Sequence, residues 1–234
     1  MKHVNLLAAS MLVLGHTLAG GAVAAPVTLS GTTVDFTFDD ALLGLFGTPL
    51  LTTGNTLVFT PVGFDAQAFN GPKIDLTNQT MNIRVTAKQG YEIGHVGLLE
   101  RGDYLLEGAA SSVDVTGQLR VFDLSNQTVS FTDSITTMGP LTTVGLPTHN
   151  WSATAGIAIN PAMYDLTHAN VAVQNLLIAR AFSVDSLAFI EKKELFLNVN
   201  TLAVTPVPEA ETSALMLAGL GLVGFMVMRR RNVR

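Results

Sequence analysis

Hydrophobic and polar residues alternate along most of this chain, and the period is two. Val34, Phe36 and Phe38 alternate with Asp35, Thr37 and Asp39, and Met81, Ile83 and Val85 alternate with Asn82, Arg84 and Thr86. Val113, Val115, Leu119 and Val121 run against Ser112, Asp114, Gln118 and Arg120. Val129 with Phe131, and Trp151 with Ile157 and Ile159, continue the scheme. Such alternation places one face of a strand in a core and the other in water. Threonine is abundant throughout, as suits half-buried strands. Turn residues punctuate the pattern at Asn70-Gly71-Pro72, Gln89-Gly90, Arg101-Gly102-Asp103, Gly139-Pro140 and Asn160-Pro161. Ser186 to Ile190 and Leu195 to Val199 flank Glu191-Lys192-Lys193-Glu194, which reads as the charged tip of a hairpin. Val171 to Phe182 is apolar enough to be a strand pair or a short helix. The pattern predicts an all-β body, an antiparallel β-sandwich over residues 25–205.

A weak internal echo runs through the body. Asp75-Leu76-Thr77-Asn78-Gln79-Thr80-Met81 resembles Asp123-Leu124-Ser125-Asn126-Gln127-Thr128-Val129, and Asp165-Leu166-Thr167 begins a third, poorer copy. The spacings, 48 and 42 residues, are too loose for a solenoid. The copies read as one turn-to-strand solution reused, with Asp bonding the backbone ahead. A duplicated sandwich half is the sharper alternative.

Both ends depart from the strand pattern. Lys2 and His3 open the chain, Leu6 to Ala19 is mostly apolar, and Gly20-Gly21-Ala22-Val23-Ala24-Ala25-Pro26 follows. A basic start, a short apolar stretch and small residues make residues 1–24 a secretory signal peptide, handled by the Sec translocon and signal peptidase. Cleavage after Ala25 would put Pro26 beyond the scissile bond, so Ala22-Val23-Ala24 is the expected site. At the other end, Val207-Pro208-Glu209-Ala210-Glu211 precedes an uncharged run over Ser213–Met228, and Arg229-Arg230-Arg231-Asn232-Val233-Arg234 closes the chain. Residues 213–228 form, on this reading, a single transmembrane helix about 24 Å long, somewhat short of the roughly 30 Å hydrocarbon core of a bilayer. Snorkelling arginine stems make up part of that gap. The arginines orient the C-terminus towards the cytoplasm and leave the body on the outer side.

The tail over residues 206–234 resembles the PEP-CTERM sorting domain of Gram-negative bacteria that make exopolysaccharide. That signal is a Val-Pro-Glu-Pro turn, an apolar helix rich in Leu, Gly and Ala, and a terminal arginine cluster. Val207, Pro208, Glu209, Arg229, Arg230 and Arg231 fit it, and Ala210 departs from it where a second proline would sit. The resemblance implies an exosortase, a membrane-embedded transpeptidase-like enzyme, that removes the tail near the Pro-Glu turn. The chain would be held in the inner membrane only transiently, then reach the cell surface or extracellular matrix. A plain C-terminal anchor is the alternative. The stretches Gly90-Tyr91-Glu92-Ile93, Leu99-Glu100-Arg101-Gly102-Asp103-Tyr104-Leu105-Leu106-Glu107-Gly108 and Phe189-Ile190-Glu191-Lys192-Lys193 also look like bodies carried by other PEP-CTERM proteins. They imply an exported β domain with no assigned activity.

Charge narrows the partners. Setting aside Lys2 and the four tail arginines from 13 basic residues, and Glu209 and Glu211 from 18 acidic ones, leaves 8 and 16, a formal charge of −8. An acidic body repels nucleic acid and anionic membrane, and is compatible with neutral polysaccharide. The absence of cysteine removes disulfides, thiolate catalysis and zinc-thiolate sites. His95, His149 and His168 lack metal-ligand spacing and read as turn or surface residues. Asp35, Asp39 and Asp40 lack a glycine-centred calcium loop and read as solvated strand faces. No cofactor or metal site is expected. Neither a Gly-x-Ser-x-Gly elbow nor a phosphate-binding glycine loop is present. The sequence points to a non-enzymatic protein with a structural or adhesive role linked to exopolysaccharide. A carbohydrate-binding module is the alternative and requires an exposed platform of Trp151, Tyr91, Tyr104 and Tyr164. A secreted hydrolase would require two carboxylates facing each other across a cleft.

Overall fold

A computed structural model describes residues 26–52, 54–204 and 214–223. Its strands, in chain order, are β1 (Val27–Ser30), β2 (Val34–Phe38), β3 (Leu50–Leu51), β4 (Thr56–Phe59), β5 (Asp65–Phe69), β6 (Lys73–Ala87) and β7 (Tyr91–Glu107). They continue as β8 (Ser111–Asp123), β9 (Ser130–Ser134), β10 (Thr136–Thr137), β11 (His149–Ala158), β12 (His168–Ala181) and β13 (Leu187–Ala203). One sheet has the order β1-β2-β6-β12-β8-β9. The other runs β10-β11-β7-β13-β4-β3, with β5 also paired to β13. The pairings are antiparallel. The two sheets pack on one apolar core, as the alternation requires.

The alternating sets land where the period places them. Val34, Phe36, Met81, Ile83, Val85, Leu119 and Val121 from the first sheet are fully buried against Leu57, Phe59, Ile93, Leu195 and Leu197 of the second. Chain reversals fall at Asn70-Gly71-Pro72 and Gln89-Gly90, where Asn70 and Gly90 have φ of 53° and 83°. Ile135 joins the two sheets without a reversal. It is buried between β9 of one sheet and β10 of the other, and its N–H donates to the Gly117 carbonyl.

Four expectations are corrected. Residues 171–182 are neither a strand pair nor a helix. Residues 171–181 belong to the single strand β12, central between β6 and β8, and Phe182 follows its end. Its solvent side carries Leu176 and Ile178, only half-buried, so apolar residues on both faces hide the alternation. Arg101-Gly102-Asp103 is not a turn but lies inside the 17-residue strand β7. Glu191 to Glu194 is not a hairpin tip, since β13 runs through it unbroken. The echoed segments do not share a structure. Asp75 sits within β6 and accepts from Gln67 N–H on β5 at 2.9 Å, whereas Asp123 ends β8 and caps a turn through Ser125 N–H at 2.7 Å.

The charged stretch of β13 is a β-bulge. Lys192 pairs with Gly102 and Glu194 with Arg101, leaving Lys193 as the extra residue. Before the bulge Ala188, Ile190 and Lys192 point into the core, and after it Leu195, Leu197 and Val199 do. One inserted residue therefore keeps both halves of β13 apolar-side-in, since a strand changes face at every position. The bulge also falls where the partner strand changes: β5 pairs Leu187–Glu191 and β4 pairs Leu195–Asn198. The connecting chain closes the gap, and Lys192 N–H donates to the Phe64 carbonyl at 2.9 Å.

Residues 214–223 form a short helix. Among the described residues no helix is long and apolar enough to cross a membrane. The expected span 213–228 extends beyond this helix at both ends. The signal peptide 1–24, Val207–Ala210 and Arg229–Arg231 lie outside the described residues.

Candidate functional site

The middle of the second sheet, where β11, β7 and β13 run side by side, concentrates the body's polar chemistry. On the core side the bulge turns Lys192 inward, and the regular pleat of β7 does the same for Glu100. Both side chains are fully buried, and Lys192 Nζ lies 2.7 Å from Glu100 Oε2. The opposing sheet supplies Asn175 of β12, also fully buried, whose Nδ2 donates to Glu100 Oε1. Phe64 and Phe46 wall the cluster, with the ammonium 5.0 and 5.8 Å from their ring centroids. Removal from water pushes the Lys192 amine down from 10.5 to about 8, with Glu100 opposing part of that shift. Asn175 Oδ1 has no hydrogen-bond partner among the described residues.

The adjoining strand surfaces carry a different set. Trp151 of β11 stands opposite Gly102 of β7. Its indole N–H donates to the carbonyls of Asp103 at 3.2 Å and Glu191 at 3.1 Å. A side chain at position 102 would collide with that ring and with the Glu191 carbonyl, so glycine is what admits the indole. Lys193, projecting from the bulge, pairs with Asp103 and lies 3.7 Å from Glu191. Arg101 lies 3.8 Å from Glu194 and 5.4 Å from the Phe196 ring centroid. Trp151, Gly102, Arg101, Lys193 and Glu194 border a cavity of about 570 Å³, completed by Thr60, Asn150 and Ser152. A second, of about 540 Å³, lies over Gly97 and Gly156, bordered by His95, Leu99, Phe196 and Asn198.

Chemically, the carboxylates here are occupied. Glu100 faces Lys192, Asp103 faces Lys193, and Glu194 faces Arg101. Among the described residues no three His, Cys, Asp or Glu side chains stand close enough to hold a metal ion. Asp35 accepts from Ser30 Oγ at 2.6 Å, and Asp39 caps a 3-10 turn through Ala41 N–H at 2.9 Å. The histidines belong to strands rather than turns: His95 to β7, His149 to β11 and His168 to the start of β12. The four rings do not form an exposed platform. Trp151 and Tyr104 are 4% and 3% exposed, and Tyr164 packs edge-on against Phe131 at 5.1 Å. Glu100, Lys192 and Asn175 were not singled out by sequence, because no local spacing links three residues brought together by register and sheet packing.

Residues 206–231 match the PEP-CTERM protein-sorting motif. No curated protein and no solved structure matches the chain.

Proposed function

We propose, from the premise that this chain carries a PEP-CTERM sorting motif, that it is an exosortase substrate whose β body plays a structural or adhesive role in an exopolysaccharide-rich matrix. The single observation that carries the reading is the motif at residues 206–231, which begins three residues after the last described strand ends at Ala203. On this reading residues 1–24 are removed after Ala22-Val23-Ala24, and residues 213–228 hold the chain in the inner membrane with Arg229, Arg230 and Arg231 in the cytoplasm. Exosortase then cuts near Pro208-Glu209 and releases the body to the surface. The body itself acts without catalysis. Support comes from its paired carboxylates and from a construction spent on two long-stranded sheets. The burial of Trp151 and Tyr104 weighs against a carbohydrate-binding module, which needs rings in water.

The test is expression in an exosortase-positive host and in one lacking the enzyme, followed by mass determination of the exported product. Loss of the chain beyond Pro208 only in the positive host is the expected result. An intact arginine terminus in both would reduce the tail to an ordinary anchor. Incubating the released body with the host's exopolysaccharide then separates a matrix binder from a bystander.

A further inference from the structure

We propose that the folded chain joins Lys192 to Asn175 through an isopeptide bond, Lys192 Nζ to Asn175 Cγ, with Glu100 as the proton carrier. The bond would tie β13 of one sheet to β12 of the other. It goes beyond the sorting reading and does not depend on it.

Three functional groups meet in a closed apolar compartment: an amine, a carboxamide and a carboxylate that touches both. Lys192, Asn175 and Glu100 are each fully buried, and Glu100 holds the amine on one oxygen and the amide on the other. A nucleophile, an electrophilic carbonyl and a shared acid–base group are the parts needed for acyl transfer. The aromatic walls exclude water, which would otherwise solvate the ammonium and protect it from reacting. Burial favours the neutral, nucleophilic amine, in line with its lowered pKa. The cluster is also poorly satisfied as a simple ion pair. Asn175 Oδ1 lacks a donor and the amine faces two rings, although buried polar groups are ordinarily paired. Holding amine and amide on one carboxylate supplies the proximity that makes an otherwise slow aminolysis feasible.

The atoms balance without any oxidant or co-reactant. The ammonium passes a proton to Glu100, leaving a neutral amine beside a neutral acid. Glu100, now protonated, can no longer accept well from Nδ2, so the carboxamide turns over and its Oδ1, which has no donor among the described residues, accepts from the acid as Lys192 Nζ attacks Cγ. Nζ gives up a proton through Glu100 to the departing nitrogen, the Cγ–Nδ2 bond breaks, and ammonia leaves. One C–N bond replaces another, and Glu100 keeps the proton it took from the ammonium, standing as a neutral acid beside the new amide. The buried charge pair is replaced by a neutral amide, which removes the desolvation penalty of the original pair.

The test is mass spectrometry of the full chain after purification, with peptide mapping. The expected wild-type protein is lighter by one ammonia, and the peptide containing Lys192 stays joined to that containing Asn175. Asn175→Ala and Glu100→Gln should both show the full mass and unlinked peptides, with the Trp151 fluorescence of a folded body. Folded wild-type protein with unlinked peptides overturns the proposal. So does an ammonia loss that persists in Asn175→Ala, because it then arises elsewhere, as at Asn70-Gly71. A linked Glu100→Gln removes Glu100 from its proposed role. Should that variant fail to fold, the wild-type peptide map still decides the bond. Tail processing alters a different peptide, so failure here is distinguishable from failure of the sorting reading.

Discussion

Replacing Gly102 with alanine should be among the most damaging single-methyl changes this body can suffer. A Cβ there would lie 1.9 Å from the Glu191 carbonyl oxygen and 2.7 Å from Trp151 Nε1. The first contact involves backbone held in the β7–β13 ladder and cannot be relieved by a side-chain rotation. Either the ladder opens at the bulge or the indole is expelled. Overpacking of this kind costs about 1–3 kcal/mol, and loss of the indole's hydrogen bonds to two carbonyls adds about 1 kcal/mol each. A total of roughly 3–5 kcal/mol is a large share of the 5–15 kcal/mol that holds a typical domain together. Gly97→Ala is the matched control on the same strand. Its Cβ would meet only the His95 ring at 3.1 Å, a movable group, so this change should be near neutral. Urea denaturation followed by the emission of Trp151 compares the two. Unfolding free energies for Gly102→Ala and Gly97→Ala within about 0.5 kcal/mol of each other would refute the reasoning.

Three further outcomes are expected. Trp151→Phe keeps the apolar ring but removes the N–H that reaches Asp103 and Glu191, and should lower stability by about 1–3 kcal/mol in urea, whereas an unchanged midpoint would show those carbonyls find other donors. In Asn175→Ala, which retains a free Lys192 amine, stability should rise with pH. The folded pKa near 8 lies below the unfolded 10.5, so the cost of burying the ammonium is full below pH 8 and fades towards 10.5. The gain from pH 7 to 10, relative to Asn175→Ala carrying Lys192→Met, should be on the order of 2 kcal/mol, and a fall would contradict the sign. Ala210→Pro restores the second proline of the sorting turn and should speed tail removal in a pulse-chase with exosortase present; an unchanged rate would show that this position is not read.

What the sequence disclosed and what it hid divide along physical lines. Alternation at Val34–Phe38 and Met81–Val85 is local, and each strand carries it without help from the rest. The address at Val207–Glu209 and Arg229–Arg231 is local too, and its motif stands in the chain's own order. The errors came where a residue answers to a distant neighbour. Gly102 between two charges looked like a turn because nothing nearby announces the indole of Trp151, 49 positions later, that requires it. The four charges of Glu191–Glu194 looked like a solvated tip because bulges leave no periodic signature, yet the bulge is what sends Lys192 inward. Glu100 was one of 16 acids in the body, and only the register of β7 with β13 and the packing of β12 set it apart.

The position of β13 also dictates an order of events. The strand that links β7 to both β4 and β5 is the last of the described strands to be made, ending at Ala203. Until that segment has crossed the membrane, the second sheet lacks its centre and the earlier strands have exposed edges. Translocation must therefore run almost to the sorting turn before the body can close. On the sorting reading proposed above, a tail that anchors the chain at that point would hold the nascent body at the membrane while its final strand inserts. Cleavage before then would release an open-edged intermediate, so a pause at the membrane doubles as protection against misassembly.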